Sequence, residues 1–237
     1  DEGFKELLNH ENPLVQIIAE ARIGNKSTIE ETRTENFIHI ANRGLLPVPL
    51  KYSGATVTHR WSGVDGINLQ NLPRTSELRR AICAPEGFKI VASDLSNIEL
   101  RLAFWFAQAH NKLDDISNPE LLRSWADAGE MLNAIRSGQS FQMGNGNVIQ
   151  TIIDTATGMH GMKKPNGMVL HLPNLRQIKN KEGRDSWVYD KKMGYNLLPE
   201  YIHPAKVFQR CIQSLARDII GDHLIAVAKR YRVVMTV

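Results

Sequence analysis

Two stretches of this sequence carry side chains of types and spacing that could do chemistry. The first is Val91–Arg101, VASDLSNIELR, which holds the carboxylates Asp94 and Glu99. A carboxylate at the tip of a buried strand, directly before a capped helix, is rigidly held. It can give hard oxygen to a magnesium ion and still leave room for substrate phosphates. The plainer alternative is that Asp94 only begins a turn. Glu99, the fourth residue of Ser96-x-x-Glu99, also fits a capping box that closes the helix backbone and does nothing else. The second stretch is Thr58–Arg74, THRWSGVDGINLQNLPR, where Asn68, Gln70 and Asn71 stand among Arg60 and Arg74 in a glycine-rich turn region. Such groups donate hydrogen bonds to a polar ligand at fixed positions. The alternative is turn capping beside solvated arginines.

The elements that would position these groups are legible around them. Phe88–Ala92 predicts a strand ending at Asp94, and Asn97–Gln108 predicts a helix with Ile98, Ala103, Phe104 and Ala107 toward a core. Upstream, Phe4–Ala41 is helical in pattern, with Leu14, Ile17, Ile18 and Ala21 at helix spacing and a break at Gly24-Asn25. Leu45–Gly66 reads as short strands and turns, and Glu77–Ile82 as a short helix before a turn at Ala84–Gly87. Downstream, helices are expected over Pro119–Ile135 and Ala205–Lys229, the latter with Val207, Ile212, Leu215, Ile219 and Leu224 near one side. Met168–Lys179 and Asp185–Tyr189 predict strands turning at Lys181-Glu182-Gly183, and Arg232–Val237 predicts another. Ser137–Gly167 has no assignable pattern. Helices segregated from a few strands point to an α+β fold.

Composition narrows the field. The 237 residues are 42% hydrophobic and 23% charged, which excludes a disordered tail or a fibre. Lys and Arg outnumber Asp and Glu 29 to 25, a balance that favours polyanionic partners. Cys83 and Cys211 form no CxxC unit, so neither a disulfide scaffold nor a cysteine zinc site is expected. None of the eight histidines forms an HxH or HxxxH pair, and there is no G-x4-G-K-(Ser/Thr) loop. No apolar run approaches the ~20 residues of a membrane span, and the first residues do not read as a signal peptide. A soluble cytoplasmic protein is the expectation.

VASDLSNIELR resembles motif A of the family A DNA polymerases, in which a strand leads to Asp, then an aromatic residue or Leu, Ser, Gln, Ile, Glu, a variable residue and Arg. NLQNLPR is similar to that family's NLQN-(Ile/Leu)-Pro-x-Arg segment, and GATVTHRWSG resembles its G-T-x-T-G-R-(Leu/Trp)-S-(Ser/Gly). Arg22 with Lys26-Ser27-Thr28, Leu172-Pro173 ahead of Arg176, and Gln213–Ile220 extend the likeness across nearly the whole chain in the family's order. The wording is closer to bacteriophage members than to the cellular repair enzyme.

The resemblance implies a polymerase palm, an antiparallel sheet backed by helices, with thumb-base helices. Residues 1–44 would be the thumb base, 45–116 the palm with motif A, and 117–237 the continuing palm. It implies template-directed addition of deoxynucleotides to a primer 3′-hydroxyl with two Mg²⁺ ions. Asp94 matches the carboxylate that bridges both ions and Leu95 the carbonyl ligand; Ser96 and Asn97 complete the nucleotide-facing stretch. Glu99 matches the residue that excludes a ribose 2′-hydroxyl. Arg60, Asn68, Gln70, Asn71, Gln213 and Arg74 match groups at the primer–template DNA. Arg101 and Arg176 are either contributors or structural ion-pair partners.

The chain also departs from the pattern. Asn97 stands for the usual Gln, His59 for Gly, and Val57 is unexpected. The fingers helix, Arg-x3-Lys-x6/7-Tyr-Gly, is absent, and an Asn118-Pro119…Trp125 palm segment follows almost at once, which places a junction near Asp115–Ser117. The His-Asp-Glu of motif C is absent too. Two other readings stand beside this one: a non-catalytic nucleic-acid-binding protein on a polymerase palm, and a single-subunit RNA polymerase, against which Glu99 argues.

Overall fold

A computed structural model describes residues 5–24, 29–73, 75–109, 118–154, 159–193 and 196–233. The fold is α+β, and its strands form three antiparallel sheets among the described residues. The chain divides into two compact units: Asp1–Pro49 with Val64–Phe88, and Leu50–Gly63 with Lys89–Val237.

The first unit is helical. Helix α1 (Pro13–Gly24) starts where Asn12 Oδ1 accepts the Leu14 N–H at 2.9 Å, with Pro13 in the first turn, where its missing N–H costs nothing. Leu14, Ile17 and Ile18 are exposed on it and Ala19 is buried. Helix α2 (Ile29–Ala41) ends at the expected stop, Asn42-Arg43-Gly44, and the short α3 (Glu77–Arg80) lies within Glu77–Ile82. The Lys26-Ser27-Thr28 match lies outside the described residues.

The second unit begins with a hairpin, β1 (Leu50–Ala55) and β2 (Arg60–Gly63). Its turn closes where the N–H groups of Thr58 and His59 both donate to the Ala55 carbonyl, at 3.1 and 2.7 Å. The strands approach so closely at Gly54 that a Cβ there would lie 1.9 Å from Ser62 Oγ. Helix α4 (Ile98–Phe106) buries Leu102, Phe104 and Phe106. Two expectations fail just before it. Phe88–Ala92 is exposed chain in no sheet, with Val91 88% exposed. An apolar run becomes a strand only when a neighbouring strand takes its N–H and C=O groups, and no described strand pairs with this one; the Phe88 N–H instead closes a local turn onto the Pro85 carbonyl at 3.1 Å. The Ser96–Glu99 capping box is not formed either. Asn97 is the residue before the helix, in a left-handed conformation at φ +52, and no side chain caps that end. That turn displaces Ser96 from the capping position.

Helix α5 (Pro119–Ser137) starts where expected and runs two residues past the expected end at Ile135. Asn118 Oδ1 accepts the Glu120 N–H at 2.9 Å, and Gly138, at φ +73, supplies the left-handed stop. The stretch without assignable pattern folds largely into a sheet ordered β3 (Gln142–Met143), β4 (Ile149–Asp154), β5 (Met159–Lys163), β6 (Val169–His171). The expected single strand Met168–Lys179 is split at Pro173-Asn174. Its second half, β7 (Arg176–Lys179), joins β8 (Asp185–Met193) and β9 (Asn196–Ile202) in another sheet, and β7–β8 form the expected hairpin. Helix α6 (Pro204–Ala228) lays Val207, Ile212 and Leu215 into a core shared with α4, α5 and the four-stranded sheet. Within it Ala128, Met131 and Leu132 of α5 are fully buried, and Phe106 meets Phe208 edge to face at 5.6 Å. Each large apolar side chain buried this way contributes about 1.5–3 kcal/mol. Arg232 and Val233 belong to no strand, and the rest of Arg232–Val237 lies outside the described residues. Both cysteines are free, Cys83 exposed and Cys211 buried. No described helix is long and apolar enough to cross a membrane.

Candidate functional site

The packing of α4 against α6 sets the site. Glu99 lies in the first turn of α4, where a carboxylate is favoured by the helix dipole, and Gln213 lies on the facing side of α6. Gln213 Nε2 donates to Glu99 Oε2 at 3.4 Å across 114 positions of sequence. Asp94, Ser96 and Asn97 are exposed just ahead of α4, and Leu95 is half-buried. The Leu95 carbonyl accepts the Ile98 N–H at 3.2 Å, which leaves its second lone pair. The structure therefore keeps Asp94–Glu99 together on one exposed edge, held by a helix start and not by a sheet.

Arg60, the first residue of β2, is exposed. The residues around it are not. His59, left-handed at φ +58 where the family pattern has Gly, is buried, and its Nδ1 lies 3.4 Å from Ser214 Oγ. Beside it Lys164, a buried lysine on the loop after β5, bonds both Asp218 oxygens at 2.7 and 2.9 Å and the Ser214 carbonyl at 3.3 Å. Arg217 Nη1 donates to the same carboxylate at 3.1 Å. Asp218 is thus the counter-ion of two buried cations.

Burial, and then the nearby Lys164 cation, push the His59 imidazole down from 6.5 to about 4. Burial also lowers the Lys164 ammonium, against the pull of Asp218. Between pH 6.5 and 4 the unfolded chain binds a proton at His59 that the folded chain refuses, so stability falls as pH drops through that window. The expected loss is about 2 kcal/mol between pH 7 and 5, measured by urea denaturation, and His59→Asn, which tolerates the left-handed backbone, should flatten it. An unchanged slope in the variant would show that the imidazole is not the acid-sensitive group. A separate acid phase belongs to Glu200. Burial raises its pKa, but hydrogen bonds from Lys191 and Lys206 outweigh this and hold it at about 2, so its contribution is lost between pH 4.5 and 2.

In the first unit, Asn68 Oδ1 accepts the Gln70 N–H at 3.1 Å and so caps a 3-10 turn at Leu69–Asn71, which is the turn-capping role for that oxygen. The Asn71 carbonyl accepts from Arg33 Nη1 at 3.5 Å, and Arg74 lies outside the described residues. Arg176 is an ion-pair partner: its Nη1 meets Asp190 at 2.9 Å and the Asn174 carbonyl at 2.9 Å. Arg101 is exposed. Among the described residues, no group of three or more His, Cys, Asp and Glu is placed to hold a metal ion. Asp94 and the Leu95 carbonyl alone do not complete a two-ion magnesium site. Sequence reasoning missed Lys164, which lies in the unpatterned stretch, and gave Arg217 no role. The Tyr52 and Trp61 pair, which meets Arg217, was the available signal.

Over an alignment 114 positions long, covering 46% of this chain and 12% of the other protein, the chain is 34% identical to DNA polymerase I of Pseudomonas aeruginosa. The chain matches no model of a known protein family. No solved structure matches it.

Proposed function

We propose that this chain is palm and thumb base of a template-directed DNA polymerase, which extends a primer 3′-hydroxyl with deoxynucleotides on primer–template DNA, with bacteriophage replication as its setting. The observation that carries the reading is the Glu99–Gln213 hydrogen bond. It joins two residues that the resemblance draws from separate motifs, one facing the sugar and one the DNA. The partial identity to a bacterial DNA polymerase I supports it. In this reading Arg60 and Gln213, with Asn68, Gln70, Asn71 and Arg74, donate to purine N3 and pyrimidine O2. Every correct pair presents these acceptors in the minor groove, so pair shape is checked without reading sequence. Phosphate contacts from the surplus cations make binding salt-dependent. Asp94, Leu95, Ser96, Asn97 and Glu99 face the incoming dNTP. Two Mg²⁺ ions belong to the proposal, with Asp94 and Leu95 as this segment's ligands.

Primer extension by the intact protein, with dNTPs and with NTPs, tests the reading. Glu99 blocks a 2′-hydroxyl only while its carboxylate stem is held, and Gln213 holds it. Glu99→Ala is expected to lower dNTP-over-NTP selectivity by roughly 100-fold while dNTP incorporation stays within about 10-fold, because a built polar block rejects a hydroxyl far better than an apolar pocket does. Equal selectivity before and after the change removes the sugar gate. Incorporation of NTPs by the unaltered protein would favour the RNA polymerase reading. A second reading, a non-catalytic nucleic-acid-binding protein, is favoured by the lone, exposed Asp94 and by the lack of a metal-holding cluster among the described residues. DNA binding without extension would establish it.

A further inference from the structure

Arg217 occupies a place where a neutral side chain would be cheaper to bury. Its side chain is 5% exposed, and Nε and Nη2 have no hydrogen-bond partner among the described residues. In place of acceptors it has two ring faces. The guanidinium carbon lies 4.3 Å from the Tyr52 ring centroid and 4.4 Å from that of Trp61. These rings come one from each strand of the β1–β2 hairpin and stand edge to face at 6.2 Å. The third nitrogen, Nη1, is tied to Asp218, which Lys164 already fixes. A planar cation anchored on α6 is therefore gripped by both strands.

The geometry has a consequence for Arg60. Trp61 follows it on β2, and alternation sends the two side chains to opposite faces. A Cβ at Gly221 of α6 would touch Trp61 Cη2 at 3.5 Å, so Trp61 is seated on the helix, and Arg60 remains exposed. Gln213, Arg217 and Gly221 recur every four residues, on one face of α6. The helix face that carries Gln213 thus also seats the hairpin that carries Arg60.

We infer that Arg217 is a positioning residue: stacked on Tyr52 and Trp61, it fixes the hairpin on α6 so that Arg60 and Gln213 meet one DNA duplex at a set separation. The inference rests on the reading of Arg60 as a DNA contact. The planar ion suits this seat because it stacks on two rings while keeping its bond to Asp218; Lys keeps the charge without the plane, and Met keeps the length without the charge.

The test uses the intact protein with primer–template DNA as probe, and reads Kd, KM for DNA, kcat and Tm in Arg217→Met, Arg217→Lys, Arg60→Ala and the Arg60→Ala/Arg217→Met double variant. Arg217→Met should raise Kd and KM roughly 10-fold and leave kcat within about twofold, with Tm unchanged or higher because a buried cation is gone. Arg217→Lys should recover part of the affinity. The double variant should bind no more weakly than Arg60→Ala alone, since Arg217 acts through Arg60. If Arg60→Ala leaves Kd unchanged, the reading of Arg60 fails and takes the inference with it. If Arg60→Ala weakens binding but Arg217→Met does not, or if their effects simply add, the inference alone fails. A lower Tm with additive effects would mark Arg217 as structural only and overturn it as well.

Discussion

Asp94→Asn is expected to cut primer extension by the intact protein roughly 1000-fold or more while its Tm stays within about 1 °C. Both halves of this result follow from where the residue sits. Asp94 is exposed, on chain that belongs to no sheet, so its carboxylate is not part of the core. Surface changes of this kind usually alter stability by less than about 0.5 kcal/mol. Activity is another matter. In the proposed reaction negative charge is carried by the reacting phosphates, and an anion at this place is what would gather compensating cations around them; Asn keeps the shape and loses the charge. Loss of a single group that stabilises developing charge costs about 10²–10³ in rate, and a shared anion for two cations should cost more. DNA affinity measured without nucleotide should be retained. Extension that survives within 10-fold would remove Asp94 from the chemistry and leave the binding-protein reading ahead.

The second large effect concerns stability. Asp218→Ala should lower it by about 3–5 kcal/mol, because it strands the Lys164 ammonium, whose side chain is 0% exposed, next to the Arg217 cation. For a chain of this size that is a fall in Tm of about 10 °C. Lys164→Met should cost less, since Asp218 keeps Arg217 and remains partly solvated at 20% side-chain exposure. The double change Lys164→Met/Asp218→Asn should recover only part of the loss: Lys164 no longer needs a counter-ion, but Arg217, also bound to Asp218, still loses its own. Thermal melts of the three variants decide it. If Asp218→Ala melts with the unaltered protein, Lys164 has found water and the cluster does not anchor α6.

How much of this was legible in the sequence depended on how local each cause is. Asn118-Pro119 and Gly138 bound α5 through bonds within a few residues, so the helix could be read directly. The β1–β2 hairpin turns at Thr56-Val57-Thr58-His59, whereas Gly54 and Gly63, which have turn chemistry in the sequence, lie inside its strands. The region before Asp94 could not be read this way. Ile90 and Val91 have strand character, but a strand is made by its neighbour, and none is present among the described residues. Ser96-x-x-Glu99 has the right letters for a capping box, yet the left-handed turn at Asn97 decides the matter, and a backbone angle is not written in that spacing. At the site, Glu99 and Gln213 were each singled out, but their meeting depends on how α4 packs on α6. Lys164 was invisible because a lysine reads as solvated until its carboxylate is known, and Asp218 is 54 positions away.

The unequal fates of the two thiols offer a handle on motion. Cys211 is sealed in the core, its pKa pushed up to about 12 by burial, while Cys83 is exposed and belongs to the other unit. A maleimide dye at neutral pH should therefore attach at one place without any engineering, and its brightness or anisotropy would report directly on the first unit as nucleic acid is added. Within this chain, Cys83 is already a position for a fluorescent probe.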